Sequence, residues 1–573
     1  MASMPDPLLS VAGLRVAFRA QDAWREVVHG VSFALHAGET LAIVGESGSG
    51  KSVTALAIMR LLSTEHARSA GRVTLGDQDL LALPEHAMQG IRGNRISMVF
   101  QEPMTSLNPV LSVGYQIAEA LRQHRGLTGR AALAEAARLL DRVHVPNARG
   151  RIKDYPQQFS GGMRQRVMIA MALACEPDLL IADEPTTALD VTIQAQILDL
   201  IRELQADTRM AALFITHDMG VVAEIADRTL VMYQGHAVEA GTTTEVFEAP
   251  RHTYTRALLA AVPRLGALQG KARPEPFSLV DVATGTSQAP AFEASLPRAD
   301  APPILAVNGL STRFDVRGGL FGRITTRIHA VENVSFSIQP GETLALVGES
   351  GSGKSTIGRS IVGLVSPTSG SIALDGRDIG TLPRAELVSA RKRMQMLFQD
   401  PYASLDPRQT VGQAIAEPLL FHGLANRAGV DEQVADALRR VKLDPDMAGR
   451  YPHEFSGGQR QRVCLARILG LQPSLIVADE SVSALDVSVK ARIINLMLQL
   501  QAELGIAYLF ISHDLAAVER ISHRIAVMYL GEIVEIGPRD AILGNPQHPY
   551  TRRLLAAVPV PDPRHPRRRL DAR

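Results

Sequence analysis

The chain has 573 residues, too many for one domain at roughly 150 residues each, and its 46% hydrophobic and 21% charged composition excludes a disordered or low-complexity protein. Sixty basic and 59 acidic side chains leave a net charge of +1, which argues against non-specific nucleic-acid binding. Two cysteines are too few for a disulfide framework or a four-cysteine metal site and indicate a reducing compartment. No apolar run could span a membrane, and the N-terminal segment lacks signal-peptide character.

The sequence motifs occur twice, in the same order along the chain. GETLAIVGESGSGKS at 38–52 returns as GETLALVGESGSGKS at 341–355, and later segments such as FSGGMRQR and FSGGQRQR follow in parallel. Long repeats with several kinds of motif indicate two whole domains and exclude the short units of a solenoid. The expected organisation is a first domain at 1–263, a Pro-rich linker at 264–303, a second domain at 304–559 and a flexible tail at 560–573.

Each copy shows the pattern of an α/β domain. Apolar, β-rich runs such as TLAIVG and LLIAD alternate with helical patterns, which is typical of a mainly parallel sheet with crossover helices. Residues 110–158 and 408–454 interrupt that rhythm with Ala- and Leu-rich helical periodicity, so we expect an inserted helical subdomain in each domain. The linker has little apolar periodicity and is predicted to be extended and solvated. A solvated tail is favoured over one that touches anionic lipid.

Each copy begins with a phosphate-binding loop of the form G-x-x-x-x-G-K-S. Its glycines let successive backbone N–H groups wrap an anion at a helix N-terminus, its lysine supplies a positive charge, and its serine hydroxyl can ligate Mg²⁺. The residues expected to contact nucleotide are Gly45, Glu46, Ser47, Gly48, Ser49, Gly50, Lys51, Ser52 and Val53 in the first copy, and Gly348, Glu349, Ser350, Gly351, Ser352, Gly353, Lys354, Ser355 and Thr356 in the second.

Two adjacent carboxylates end an apolar run in each copy, at LLIADE and LIVADE. We expect Asp183 and Asp479 in the Mg²⁺ coordination shell, and Glu184 and Glu480 next along the chain as bases that polarise water. An apolar run that ends in Asp-Glu is weak evidence alone. It becomes strong downstream of a phosphate loop.

Further polar groups complete the pattern. The next helix in each copy opens with a serine and two glycines, which offer a second anion-binding helix end, and a plain helix cap is the alternative. The residues concerned are Ser160, Gly161, Gly162, Ser456, Gly457, Gly458 and Gln459. His217 and His513 close an apolar run and could contact a γ-phosphate or orient water, or be structural. The amides of Gln101 and Gln399 could touch both the metal and the attacking water. The candidate metal ligands are therefore Ser52, Gln101, Asp183, Ser355, Gln399 and Asp479.

This ordered set of motifs, with ALD at 188–190 and 484–486, resembles the ABC-type ATPases over nearly the whole chain, twice. The resemblance implies ATP and Mg²⁺ as cofactors. It also implies that the two domains pair head to tail within the chain, with ATP between the phosphate loop of one and the serine-glycine signature of the other. One helix end per domain cannot enclose a triphosphate, whereas two opposed ones can.

The segments RHTYTRALLAAVP at 251–263 and QHPYTRRLLAAVP at 547–559 resemble the C-terminal extension of oligopeptide and dipeptide importer ATPases. Read from the residues alone, each is a short amphipathic helix. The resemblance is greatest to importers of glutathione with two fused ATPase domains, and a dipeptide or oligopeptide importer is the alternative. It implies two transmembrane permease subunits, a periplasmic solute-binding protein, and peripheral attachment to the cytoplasmic side of the inner membrane. Nothing in it points to nucleic acid.

Two other function classes compete with an importer. Soluble tandem ABC proteins of ribosomes or DNA are disfavoured because the linker is Pro-rich rather than a charged helical arm, and because zinc cysteines and long coiled coils are missing. A nucleotide switch without turnover is disfavoured because both glutamates are present.

The two copies differ at several positions where the family pattern would make them alike. Val53 stands opposite Thr356, Met163 opposite Gln459, and Ser481 opposite Pro185. The adenine-stacking aromatic of the family could be Trp24, but the equivalent position in the second copy is Arg327, which can also stack on a base. We predict that both sites hydrolyse ATP, with modestly different affinities.

Overall fold

The core of each half is a six-stranded sheet that is parallel except for one edge strand. In the computed structural model, which describes residues 6–20, 23–101, 106–187, 189–288, 292–297, 300–318 and 323–564, the first sheet has the order β10-β9-β3-β8-β7-β6 and the second the order β18-β19-β20-β15-β21-β22. Only β10 and β22 run antiparallel to their neighbours. The prediction of two α/β domains with mainly parallel sheets is confirmed.

The first half contains ten strands and ten α-helices within the described residues. Its strands are β1 Leu9–Ala20, β2 Ala23–Leu35, β3 Thr40–Val44, β4 Ala67–Leu75, β5 Gln78–Asp79, β6 Ile96–Val99, β7 Leu179–Asp183, β8 Ala211–Thr216, β9 Arg228–Tyr233 and β10 His236–Thr242. Its helices are α1 Lys51–Ile58, α2 Glu85–Ile91, α3 Val113–Arg125, α4 Gly129–Arg142, α5 Ala148–Arg151, α6 Gly161–Ala172, α7 Val191–Thr208, α8 Met219–Ile225, α9 Thr243–Glu248 and α10 Thr253–Ala260.

The second half repeats this order after a two-stranded ribbon in the linker, β11 Leu279–Val280 and β12 Ser287–Gln288. Its strands are β13 Leu305–Gly318, β14 Arg323–Ile338, β15 Thr343–Val347, β16 Ser369–Leu374, β17 Arg377–Asp378, β18 Met394–Leu397, β19 Leu475–Asp479, β20 Ala507–Ile511, β21 Arg524–Tyr529 and β22 Glu532–Pro538. Its helices are α11 Lys354–Ile361, α12 Arg384–Arg393, α13 Val411–Phe421, α14 Val430–Arg440, α15 Gly457–Leu469, α16 Val487–Leu504, α17 Leu515–Ile521, α18 Arg539–Gly544 and α19 Pro549–Ala556.

The central strands are buried on both faces because helices such as α6 and α7 cover the sheet on one side, while α1 and a second sheet cover it on the other. All five residues of β3 and of β7 are buried, which explains why these strands are continuous apolar runs. The second sheet, β2-β1-β4-β5 in the first half and β14-β13-β16-β17 in the second, is antiparallel. These antiparallel sheets were not predicted from the sequence.

The helical inserts form where the sequence predicts them. In the first half, α3, α4 and α5 follow the glutamine segment and pack with α6 around buried apolar residues such as Ile117 and Leu140. The second half has α13 and α14 in the equivalent place. Each insert therefore connects the glutamine segment to the helix that begins at the serine-glycine signature.

The linker differs from the expected solvated segment. Leu268, Phe277 and Ala294 are buried, with Phe277 only 2% exposed. Phe277 and Ala294 pack in the apolar core of the second half, and the Leu268 amide donates to Glu519 of that half. The side chain of Asn495 on α16 accepts a hydrogen bond from the Phe277 amide (2.7 Å) and donates one to its carbonyl (2.9 Å). The prediction of a solvated linker is wrong at these three apolar residues, which are too few to show periodicity but pack on the second half, whereas residues 269–273 are exposed. The domain boundaries themselves stay predictions.

Some of the predicted features lie partly outside the described residues. These are residues 102–105 and 188 of the first-half motifs and residues 565–573 of the tail. Near the start of the tail, Arg564 pairs with Glu248 of the first half (Nε to Oε1, 3.0 Å). None of the helices in the described part of the chain has both the length and the apolar character that crossing a bilayer requires.

Candidate active site

The phosphate loop of each half joins a buried strand to a helix and needs glycine at its first position. A Cβ on Gly45 would lie 2.2 Å from the Met232 carbonyl oxygen, and one on Gly348 would lie 2.2 Å from that of Met528. The φ of both residues is +152°, a conformation that side chains disfavour. The loop is therefore wedged against the end of a neighbouring strand, and only glycine fits there.

The helix after each loop presents its N-terminus to the cavity of the loop. Gly50 precedes α1 and supplies no side-chain cap, so the amides of the first turn remain available to an anion. The Nζ atom of Lys51 donates to the carbonyls of Gly45 (2.8 Å) and Glu46 (2.9 Å), which holds the ammonium beneath the loop. Lys354 binds the second loop in the same way. These donors fit a polyphosphate.

Burial shifts the pKa of each of these lysines. Desolvation lowers the pKa of Lys51 and Lys354, although carboxylates of both halves oppose the shift. A desolvated ammonium gains from an incoming anion because the anion restores favourable charge contacts. An anion bound in the loop would therefore stabilise the charged form of each lysine.

A hydroxyl and a carboxylate meet next to each loop. The Ser52 hydroxyl donates to Asp183 Oδ1 at 3.0 Å, and the Ser355 hydroxyl donates to Asp479 Oδ1 at 2.8 Å. Burial raises the pKa of Asp183 to about 6 and also raises that of Asp479. A pair of oxygen ligands that includes a desolvated carboxylate suits a hard cation, so the residues present fit Mg²⁺.

Glu184 follows directly after Asp183, with a left-handed backbone (φ 47°) that turns its carboxylate away from the strand. Three side chains hold that carboxylate: Gln101 (Nε2 to Oε2, 2.8 Å), Thr187 (Oγ1 to Oε2, 2.9 Å) and His217 (Nδ1 to Oε1, 3.1 Å). Burial by itself would raise the pKa of Glu184, but hydrogen bonds from His217 and Thr187 and the charge of Lys51 lower it to about 2. The carboxylate is ionised at neutral pH.

The second site repeats this arrangement with looser contacts. Gln399 donates to Glu480 Oε2 at 3.0 Å, while His513 Nδ1 lies 3.6 Å from Glu480 Oε1. Ser483 takes the place of Thr187, and its buried hydroxyl has no hydrogen-bond partner in the described structure. Burial opposes the shift here too, but His513 lowers the pKa of Glu480. The two sites therefore differ in how firmly the glutamate is held.

The serine of each signature caps the helix that follows. Ser160 accepts from the Met163 amide, and Ser456 accepts from the Gln459 amide (both 3.4 Å). The side chain of Gln459 also accepts from the Ser456 amide at 3.0 Å and completes a capping box, which Met163 cannot do. Both serines are exposed, and their contact with a nucleotide held by the opposite half stays a prediction.

Two aspartates bring the halves face to face at the phosphate loops. Asp486 of the second half accepts from the Ser47 amide at 2.9 Å, and Asp190 of the first half accepts from the Ser350 amide at 2.7 Å. Thr192 adds a hydrogen bond to Glu349 across the same boundary (2.8 Å). Each phosphate loop is thus in contact with the half that does not contain it.

The two candidate adenine-stacking residues are already engaged. The guanidinium of Arg68 lies 3.9 Å from the centre of the Trp24 ring and covers one of its faces. Arg327 forms an ion pair with Asp315 (2.7 Å). Base stacking on Trp24 therefore has one ring face available, and stacking on Arg327 would compete with its carboxylate partner.

The Lys, Ser, Asp, Glu, Gln and His side chains singled out from the sequence lie together in one cluster per half, and their roles stay predictions. Other residues around each cluster were not predicted from the sequence. Asp190 and Asp486 belong to the ALD motif, which was used only to support the family resemblance and was given no role in the site. Tyr254 and Tyr550 belong to the HTYT and HPYT segments, and their hydroxyls accept hydrogen bonds from the phosphate loops. These two aspartates and two tyrosines could have been singled out because each occupies the same position in both copies. No local sequence pattern, however, indicates which residues they contact.

Two family models each match the chain in both halves. The family described as ABC transporter matches residues 28–187 and 331–483, and the family described as Oligopeptide/dipeptide transporter, C-terminal region, matches residues 238–285 and 534–572.

The chain is 58% identical to the glutathione import ATP-binding protein GsiA of Salmonella typhimurium, over 98% of this chain and 91% of that one. It is likewise 58% identical to the GsiA protein of Escherichia coli K12, over 97% and 90%. A solved ATP-binding cassette dimer with ADP and Pi aligns with 41% of this chain and 98% of its own, at 28% identity and a TM-score of 0.37.

Proposed function

Because the chain belongs to the ABC transporter family and carries the C-terminal region of oligopeptide and dipeptide transporters in both halves, we propose that it drives uptake of glutathione, or of a closely related small peptide, across the bacterial inner membrane. It is an ATP-hydrolysing transport subunit. The observation that supports the substrate is 58% identity to glutathione import proteins over 98% of the chain. An importer of other dipeptides or oligopeptides is the second candidate, favoured by the paired C-terminal regions.

The proposed partners are two transmembrane permease subunits and a periplasmic solute-binding protein. The chain would sit on the cytoplasmic side of the membrane and attach through the permeases. The glutamine segments and helical inserts are the proposed docking sites, because each insert is continuous with a glutamine that binds a catalytic glutamate (Gln101 to Glu184, 2.8 Å). A permease that moves the insert could therefore displace the glutamine from the glutamate.

The proposed role of each phosphate loop is to bind the ATP phosphates between its amides and its lysine. The Ser52–Asp183 and Ser355–Asp479 pairs would hold Mg²⁺, which neutralises phosphate charge when it is bound. Glutamine oxygens of residues 101 and 399 complete the proposed ligand set. The signature residues of the opposite half would close over the phosphates.

Glu184 and Glu480 are the proposed bases. With a pKa of about 2, Glu184 can accept a hydrogen bond from water but is a poor proton acceptor as it is held here. The base becomes stronger when the contacts that stabilise its charge are weakened, and His217 is the first such contact. We propose that His217 leaves Glu184 to contact the γ-phosphate, which would raise the proton affinity of the glutamate at the time of hydrolysis.

The assignment is tested by replacing both glutamates. The Glu184→Gln, Glu480→Gln double variant should bind ATP with unchanged affinity and lose steady-state hydrolysis, since the amide keeps the shape of the side chain but not the base. Glu203→Gln, on an exposed part of α7, is the matched control and should behave as wild type. Undiminished turnover in the double variant would remove both glutamates from the mechanism.

The substrate is tested by uptake of labelled glutathione in a strain that lacks this gene and any redundant importer. The wild-type gene should restore uptake and the double glutamine variant should not. Competition by unlabelled dipeptides that exceeds competition by glutathione would favour the second candidate. Purification from detergent-solubilised membranes should bring down two permeases, and recovery of ribosomes instead would contradict an importer.

A further inference from the structure

A tyrosine of each C-terminal extension reaches the phosphate loop of its own half. The Tyr254 hydroxyl accepts a hydrogen bond from the Glu46 amide at 2.8 Å, and the Tyr550 hydroxyl accepts one from the Glu349 amide at 3.0 Å. Both side chains are almost fully buried, at 1% and 4% exposure. The same contact occurs in both halves, although each tyrosine lies about 200 positions from the loop in the sequence. It is therefore a property of the fold of each half.

The surrounding residues hold the tyrosine rigidly. The ring of Tyr233, at the end of β9, stacks on the Tyr254 ring with centroids 4.2 Å apart. The carboxylate of Glu239 accepts the amides of Arg251 (2.7 Å) and His252 (3.1 Å), which ties the start of α10 to β10. The hydroxyl therefore stands at a defined position, and its acceptor atom needs no rearrangement to meet the loop.

Consecutive amides of the first phosphate loop are held from opposite halves of the chain. Tyr254 holds the Glu46 amide, and Asp486 of the second half holds the Ser47 amide. The helix that carries Tyr254, α10, also packs against α16, which begins directly after Asp486. Docking of the second half and the position of the tyrosine thus act on adjacent residues of the loop.

We propose that Tyr254 and Tyr550 are positioning residues of the two ATP sites. Each hydroxyl engages the amide that follows the first glycine of the loop, which holds the start of the loop in place and leaves the later amides turned towards the phosphates. Because the tyrosine helix also contacts the opposite half, the C-terminal extension links the closure of the two halves to the shape of the phosphate loop. This inference rests on the proposed binding of ATP at these loops.

The test removes the hydroxyl and keeps the ring. In the full chain, Tyr254→Phe is combined with Lys354→Ala, which disables the second site so that a fluorescent ATP analogue reports the first. Loss of one neutral hydrogen bond predicts an affinity lower by about two- to tenfold. Without the lysine substitution, the KM for ATP should rise while kcat changes little. Tyr550→Phe in a Lys51→Ala background should weaken the second site by a similar factor.

Two further measurements separate positioning from a general effect on folding. Amide hydrogen exchange at Glu46 should become faster in Tyr254→Phe while exchange in the strand β7 is unchanged. Tyr233→Phe is the matched control, because it keeps the ring stack and removes a hydroxyl that accepts from the Gln234 side chain (3.3 Å), and it should leave the affinity unchanged.

Three results would overturn the inference: faster exchange throughout the first half, equal weakening of both sites by Tyr254→Phe, or an affinity in Tyr254→Phe equal to wild type. Failure of the wild-type chain to bind the analogue would instead contradict the proposed function, and the exchange of the Glu46 amide would still report on the hydrogen bond.

Discussion

Replacing Asn495 by alanine should loosen the linker around Phe277 without detaching the rest of it or unfolding the second half. Asn495 lies on α16 and makes both a donor and an acceptor contact with the backbone of Phe277, at 2.9 and 2.7 Å. Glu519 also accepts the amides of Gly266 (2.8 Å) and Leu268 (3.0 Å), so the linker is held at two places. The variant removes one of these and leaves the other.

The expected magnitude follows from the two lost hydrogen bonds. Each contributes about 0.5–1.5 kcal/mol, so the free energy of opening this part of the linker should fall by about 1–3 kcal/mol, a factor of about 5 to 150 in the opening equilibrium. Phe277 stays buried by its ring contacts, including the Arg520 guanidinium 4.9 Å from its centre. The loss should therefore be local rather than global.

Hydrogen exchange of the Phe277 amide measures this opening directly, and limited proteolysis between residues 270 and 280 gives a second readout. The matched control is Asp199→Ala, at the equivalent position of the first half, where the side chain pairs with Arg202 of its own helix (3.4 Å). The control should leave the Phe277 amide protected. An exchange rate in Asn495→Ala equal to wild type, or an equal acceleration throughout the second half, would refute the reasoning.

Three other predictions concern other hydrogen bonds of the structure. Met163→Gln should complete a capping box with the Ser160 amide and stabilise the first half by about 0.5–1 kcal/mol, measured as a higher Tm. Burial lowers the pKa of His523, whose neutral ring donates to a linker carbonyl; stability should therefore fall as the pH drops below the unfolded value of about 6.5, and the slope should be smaller in His523→Gln. Asp486→Ala should slow single-turnover ATP hydrolysis at the first site more than Asp486→Asn, because asparagine keeps an acceptor for the Ser47 amide.

The candidate sites could be predicted from sequence because their chemistry is carried by short, contiguous patterns. A loop such as residues 45–52 requires glycine, lysine and serine at set spacing, and LLIADE places two carboxylates at the end of a buried strand. The carboxyl ends of parallel strands lie at one edge of the sheet. Because β3 and β7 are close in the strand order, Lys51, Asp183 and Glu184 lie together at that edge. The antiparallel sheets were missed because their strands are only partly buried and irregular in register.

The sequence therefore determined the fold class, the duplication and the residues proposed to bind phosphate and Mg²⁺, since those depend on residue type and spacing within short motifs that occur in both copies. The tertiary structure alone decided which half supplies Asp486 to the Ser47 amide, that Tyr254 reaches Glu46, and that the linker docks on Asn495. Each of these is a hydrogen bond between residues more than 200 positions apart, where no spacing rule operates. Such partners are chosen by how whole elements pack, which is a property of the assembled chain.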